Sequence, residues 1–200
     1  MRAASSMPAP PERPVEPAAP IFRSAAVEYS WFKAVLLALL AGNTAAYLYS
    51  GSTSEALDST AWLVLLVSFE LETSAGKRWR EGPGNAVLRG GRLVAAMALI
   101  AATIGYVREM EWLDALNVGL WVAVVALLEF EVRRPGAVMR HRSSFTATAI
   151  VLYSGLVALV AAWLWRGEWF DAYDAALWLV AFAALEMDVL GFIGKRRSAT

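Results

Sequence analysis

The chain has 200 residues, of which 58% are hydrophobic and only 18% charged, against about 45–50% and about 25% in soluble domains. Its 18 basic residues balance 18 acidic ones, so net charge points to no nucleic-acid partner. The absence of Cys and the presence of a single His, His141, exclude disulfides, iron–sulfur clusters, thiolate sites and multi-histidine zinc sites.

The first element is a tail. Residues 1–28 hold Pro8, Pro10, Pro11, Pro14, Pro17 and Pro20, with an Ala/Pro composition that cannot bury a core. No apolar run follows an early charge, so the tail does not read as a signal peptide. Six apolar segments follow, near residues 32–49, 56–71, 92–107, 113–130, 147–165 and 171–193. Crossing a bilayer takes about 20 mostly apolar residues. The fifth segment, Ala147 to Trp165, carries no charge, whereas the clean run of the second covers only Ala61 to Phe69, between Asp58 and Glu70. The pattern predicts an all-α integral membrane protein with six transmembrane helices in a domain over 29–194, ending in a basic tail over 195–200.

Charge placement sets the expected orientation. With the N-terminus inside, sixteen of the eighteen Lys and Arg fall in the tails and even-numbered loops, and only Arg108 and Arg166 fall outside. That alternation follows the positive-inside rule and predicts both termini in the cytoplasm. High Ala, Arg and Gly usage suits a bacterial inner membrane.

Residues 33–72, 92–131 and 149–188 align without a gap, each copy a helix out, a short turn and a helix back. Trp62, Trp121 and Trp178 share one column; Glu70, Glu129 and Glu186 share another. Further columns match in chemistry: Tyr47, Tyr106 and Trp163; Glu55, Asp114 and Asp171; Asp58, Asn117 and Asp174; Glu72, Glu131 and Asp188. Copies of two helices each all run the same way across the membrane, so the expected architecture is a pseudo-threefold bundle of parallel hairpin repeats.

Two sets of acids compete as the functional site. The inner set, Glu70, Glu72, Glu129, Glu131, Glu186 and Asp188, lies at helix C-termini, where a carboxylate faces the negative end of the dipole at a cost of about 0.3–1 kcal/mol each. Either ion pairs with nearby cations or a bound cation or proton offsets that cost. Intramembrane acids point to function by default, which makes this set the leading candidate. All-oxygen ligation suits Mg²⁺, Ca²⁺ or Mn²⁺, so a divalent cation held by carboxylates is the possible cofactor. The outer set reads first as helix N-terminal caps. Its members Asp58, Asn117 and Asp174 nonetheless share a narrow helix face with the outermost acids and the Trp column, within about 60°. The outer side carries eight acids against two cations, enough to concentrate cations. Trp62, Trp121 and Trp178 read as packing residues of the repeat, and Asn43 as an interhelical hydrogen bonder or pathway residue.

No nucleophile–base pair, cofactor motif or Walker pattern is present, so an enzyme is not expected. The expectation is a small cation or proton transporter or channel built on repeated inner carboxylates. The alternative is a non-transporting scaffold or accessory subunit of a larger membrane complex. The expected partners are the lipid bilayer and, beyond it, further copies of the chain or membrane complex partners; nucleic acid is not among them.

Overall fold

The computed structural model describes residues 21–74 and 84–197, with side chains over 31–72 and 84–184. The described chain is all-helical. In order it forms α1 (Ile21–Ser50), α2 (Thr53–Ser74), α3 (Gly84–Glu109), α4 (Trp112–Arg133), the short α5 (Pro135–Arg140), α6 (Arg142–Arg166) and α7 (Trp169–Arg197).

Every predicted segment lies inside a helix, and the helices run longer than the apolar stretches, because backbone hydrogen bonding continues where hydrophobicity stops. Two boundaries change. Helix α1 begins at Ile21 and takes in residues 21–28, which the tail reading had included although they follow the last proline. Helix α7 likewise reaches Arg197, inside the expected 195–200 tail. The loop around Met139 contains α5, opened by Pro135 at the position where a missing N–H costs least.

Among the described residues, four helices are long and apolar enough to cross a membrane: α1 over Trp31–Ser50, α3, α4 and α6. Only 17–22% of the 18-residue apolar window of each is buried inside the bundle. Large apolar side chains such as Leu93, Met97, Ile150 and Val157 therefore point outward along whole helices, which is compatible with a membrane location and foreign to a soluble surface. Helix α2 carries Glu55, Asp58, Glu70 and Glu72, and the described side chains of α7 end at Ala184.

Each long helix packs against its neighbour in the chain (α1 on α2, α2 on α3, α3 on α4, α4 on α6, α6 on α7), and α7 returns to α1. The closest pairing is α2 with α3. Small residues on α3 allow it: Ala102 is fully buried, and a Cβ on Gly105 would clash with Ser54 Oγ. Indoles from α2, α4 and α7 meet in the interior. Trp62 lies 6.5 Å from Trp121, 6.2 Å from Trp178 and 6.3 Å from Phe182, and Trp121 stacks 4.4 Å from Phe182.

The three long hairpins turn in two residues each, at 51–52, 110–111 and 167–168. Gly167 closes α6 in the left-handed conformation, φ 80°. Met110 occupies the same position of its hairpin and is left-handed too, φ 63°. A Cβ in that region costs about 1–2 kcal/mol, partly offset by the freedom glycine loses on folding. Met110→Gly is therefore expected to stabilise the protein by about 0.5–1 kcal/mol, read as a higher thermal midpoint of the detergent-solubilised protein.

Candidate functional site

One pocket lies at the end of the bundle where these tight turns fall. Helices α2, α4 and α7 each start just after a turn with an acid in the first helical turn, Glu55, Asp114 and Asp171. One turn on come Asp58, Asn117 and Asp174, and one turn further the three Trp. At this spacing, three and then four residues, the positions share a face. All nine side chains line the same pocket. The first helices of the hairpins add Tyr47, Tyr106 and Trp163 to its wall. Four repeat columns thus converge in full. Among the described residues, the lining includes five carboxylates and no Lys, Arg or His. The cavity holds about 30 Å³, room for one or two water-sized bodies and too little for an organic substrate of any length.

Hydrogen bonds tie the carboxylates to neighbouring helices. Tyr47 on α1 donates to Asp171 on α7 at 2.9 Å, and Asn43 on α1 donates to Asp174 at 2.8 Å. Tyr106 on α3 donates to Asp58 on α2 at 3.4 Å. The third seam, α4 against α6, has Trp163 in place of a phenol, and there Asn117 Oδ1 is enclosed without a partner. Asp58 Oδ1 and Trp62 Nε1 are enclosed as well. They sit one turn apart on α2 and attract each other, but no hydrogen bond of normal geometry joins them. Glu55 is committed in part to its helix start. Its carboxylate accepts from the Ser52 N–H while its own N–H donates to Ser52 Oγ, a reciprocal capping box. Thr44 Oγ1 and Ser59 Oγ, the latter on a lining residue, are hydrogen-bonded at 2.8 Å.

The inner acids are arranged differently. Lys33 on α1 pairs with Glu70 at 3.0 Å, Arg92 on α3 with Glu72, and Arg133 with Glu129 one turn away on α4. Glu131 is half-buried. The side chains of Glu186 and Asp188 lie outside the described residues, as do Lys77 and Arg78. None of the described inner acids lines the pocket; five of the eight outer acids do. Among the described residues, no group of three or more acids or histidines is placed to hold a metal ion.

Sequence reasoning passed over Phe182. It stands in the column of Leu66 and Val125, and an apolar column in an apolar chain gives no signal. Tyr47, Tyr106 and Trp163 were visible as a column but not as a wall.

Comparison with family models, with curated proteins and with solved structures finds no match to this chain.

Proposed function

We propose that this chain is a six-span membrane transporter or channel for a small cation or proton, with its binding station in the carboxylate pocket at the turn end. The observation that carries this reading is the makeup of the pocket: five carboxylates enclose a small space without one basic side chain. Like charges that share one pocket repel, and a bound cation or proton relieves that repulsion. A scaffold would pair its acids, as the opposite end of this bundle does through Lys33, Arg92 and Arg133.

In this reading the three hairpins stand about a pseudo-threefold axis. The closed circuit of helix contacts supports it, as does the convergence of four repeat columns on one pocket. The cation distribution along the chain then puts the termini in the cytoplasm and the pocket on the opposite side. Beneath the acids, Trp62, Trp121, Trp178 and Phe182 fill the interior and are all buried. The pathway is shut at that level, and passage requires the aromatic cluster to rearrange.

The test is cation and proton uptake into proteoliposomes. An Asp58→Asn/Asp174→Asn protein is expected to lose flux while inserting normally. A Glu70→Gln/Glu129→Gln protein, altered only in the ion-paired inner acids, is expected to keep it. No flux from the inserted wild-type protein, for protons or for common mono- and divalent cations, would favour the accessory-subunit alternative.

A further inference from the structure

We propose that the loop from Arg133 to Arg142, at the end of the bundle away from the pocket, seats the phosphate headgroup of an anionic phospholipid; this goes beyond the transport reading and rests only on the chain lying in a bilayer.

The cations at this end are of two kinds. Lys33, Arg92 and Arg133 are each paired with a glutamate. Arg134, Arg140 and Arg142 are exposed, and among the described residues none of them forms an ion pair. The chain brings no acid near them in sequence, because no Asp or Glu stands between Glu131 and Glu168. Three positive charges thus fall within nine residues without a carboxylate among the described residues to neutralise them.

Local structure keeps the three together. Helix α4 ends at Arg133, and Pro135 directly opens the six-residue α5. The Arg134 N–H donates to the Phe130 carbonyl, and the His141 N–H donates to the Ala137 carbonyl, closing α4 and α5 in turn. Helix α6 then starts at Arg142. Arg134 and Arg142 therefore stand at the ends of two membrane-length helices that pack on each other, with Arg140 at the end of the short helix between them.

The surroundings point to lipid. The apolar windows of α4 and α6 are the least buried of the four, 17% each, so a lipid-facing surface leads up to the loop from both sides. Phe130, Val132 and Met139 are large, apolar and exposed among the arginines. At the boundary between headgroups and acyl chains both kinds of side chain are satisfied, the cations by phosphate and the apolar groups by lipid tails. A soluble anion would engage only the cations. The cations are also all arginines. A guanidinium fork takes two phosphate oxygens at once and is less strongly hydrated than an ammonium group.

The experiment places the full chain in nanodiscs of equal parts phosphatidylglycerol and phosphatidylcholine. Native mass spectrometry of the ejected protein counts the lipids it retains. Each arginine near a membrane surface favours anionic lipid by about fivefold, so the wild type is expected to retain phosphatidylglycerol over phosphatidylcholine by about tenfold or more. Arg134→Gln/Arg140→Gln/Arg142→Gln is expected to bring the two lipids level. Arg2→Gln/Arg13→Gln/Arg23→Gln, an equal loss of charge elsewhere in the chain, is expected to keep the preference. Thermal unfolding shows that both variants are folded.

A preference that survives in the folded loop variant would overturn the placement at this loop. An equal loss in the N-terminal variant would mean that net charge alone selects the lipid, and would overturn it too. Loss of the preference in excess inorganic phosphate would mean that the loop takes a soluble anion instead. A wild type that enters nanodiscs but retains both lipids alike would sink the inference and leave the pocket reading untouched. A wild type that does not enter nanodiscs at all would sink the membrane reading beneath both.

Discussion

Trp62→Ala is expected to destabilise the protein by about 3–5 kcal/mol, the range for removing a large buried aromatic. Trp62 is 6% exposed and is the indole through which three helices meet. It touches Trp121 of α4, and Trp178 and Phe182 of α7. No neighbour is placed to fill the void, since Trp121 and Phe182 are already stacked on each other. The cost therefore combines lost contact area, lost edge-to-face ring geometry and a residual cavity. Trp165 on α6 provides the contrast. It is 93% exposed at a helix end, and Trp165→Ala is expected to change stability by less than about 1 kcal/mol. Reversible unfolding in mixed micelles measures both. Comparable losses for the two variants would mean that the interior aromatic cluster does not hold the bundle together.

The same cluster marks how far a sequence can be read. The Trp column stood out because three tryptophans at one repeat position are improbable by chance. The outer acids stood out for the same reason, and their shared helix face with Trp62, Trp121 and Trp178 followed from the helical repeat alone. Two things did not follow. First, the wheel does not say which neighbour a long side chain reaches. Lys33 and Arg92 open their repeat copies partway along α1 and α3, and each reaches across to an acid on α2. That pairing offsets the dipole cost which had made Glu70 and Glu72 the leading candidates. Second, a favourable local role does not exclude a tertiary one. Glu55 caps α2 through Ser52 and also lines the pocket, so its reading as a cap was incomplete. Asn43 illustrates the general limit. Its polarity in an apolar helix predicted an interhelical bond, but its partner Asp174 lies 131 residues away in the chain, and only the circular packing of the helices brings the two together.

That packing closes where α1 meets α7, and here a second large effect is expected. Polar side chains tie this seam, so its hydrogen bonds add to the apolar contact between the two helices. Among the described residues, two ties run from α1 to acids of α7, Asn43 to Asp174 and Tyr47 to Asp171. Asn43→Ala with Tyr47→Phe removes both donors and leaves the carboxylates enclosed without them. Each orphaned buried acceptor costs about 1–3 kcal/mol, and Asp171 and Asp174, both only partly buried, keep some access to water, so the double variant is expected to lose about 2–4 kcal/mol. The substitution at 43 is a clean one. The matching positions of the other two hairpins are Ala102 and Leu159, both buried, so an apolar side chain is tolerated at that depth and the loss reports the missing bond. A double-mutant cycle of Asn43→Ala with Asp174→Ala isolates the pair, with an expected coupling of about 0.5–3 kcal/mol. Strict additivity would show that the first and last hairpins are not joined through Asn43 and that apolar packing alone closes the circuit.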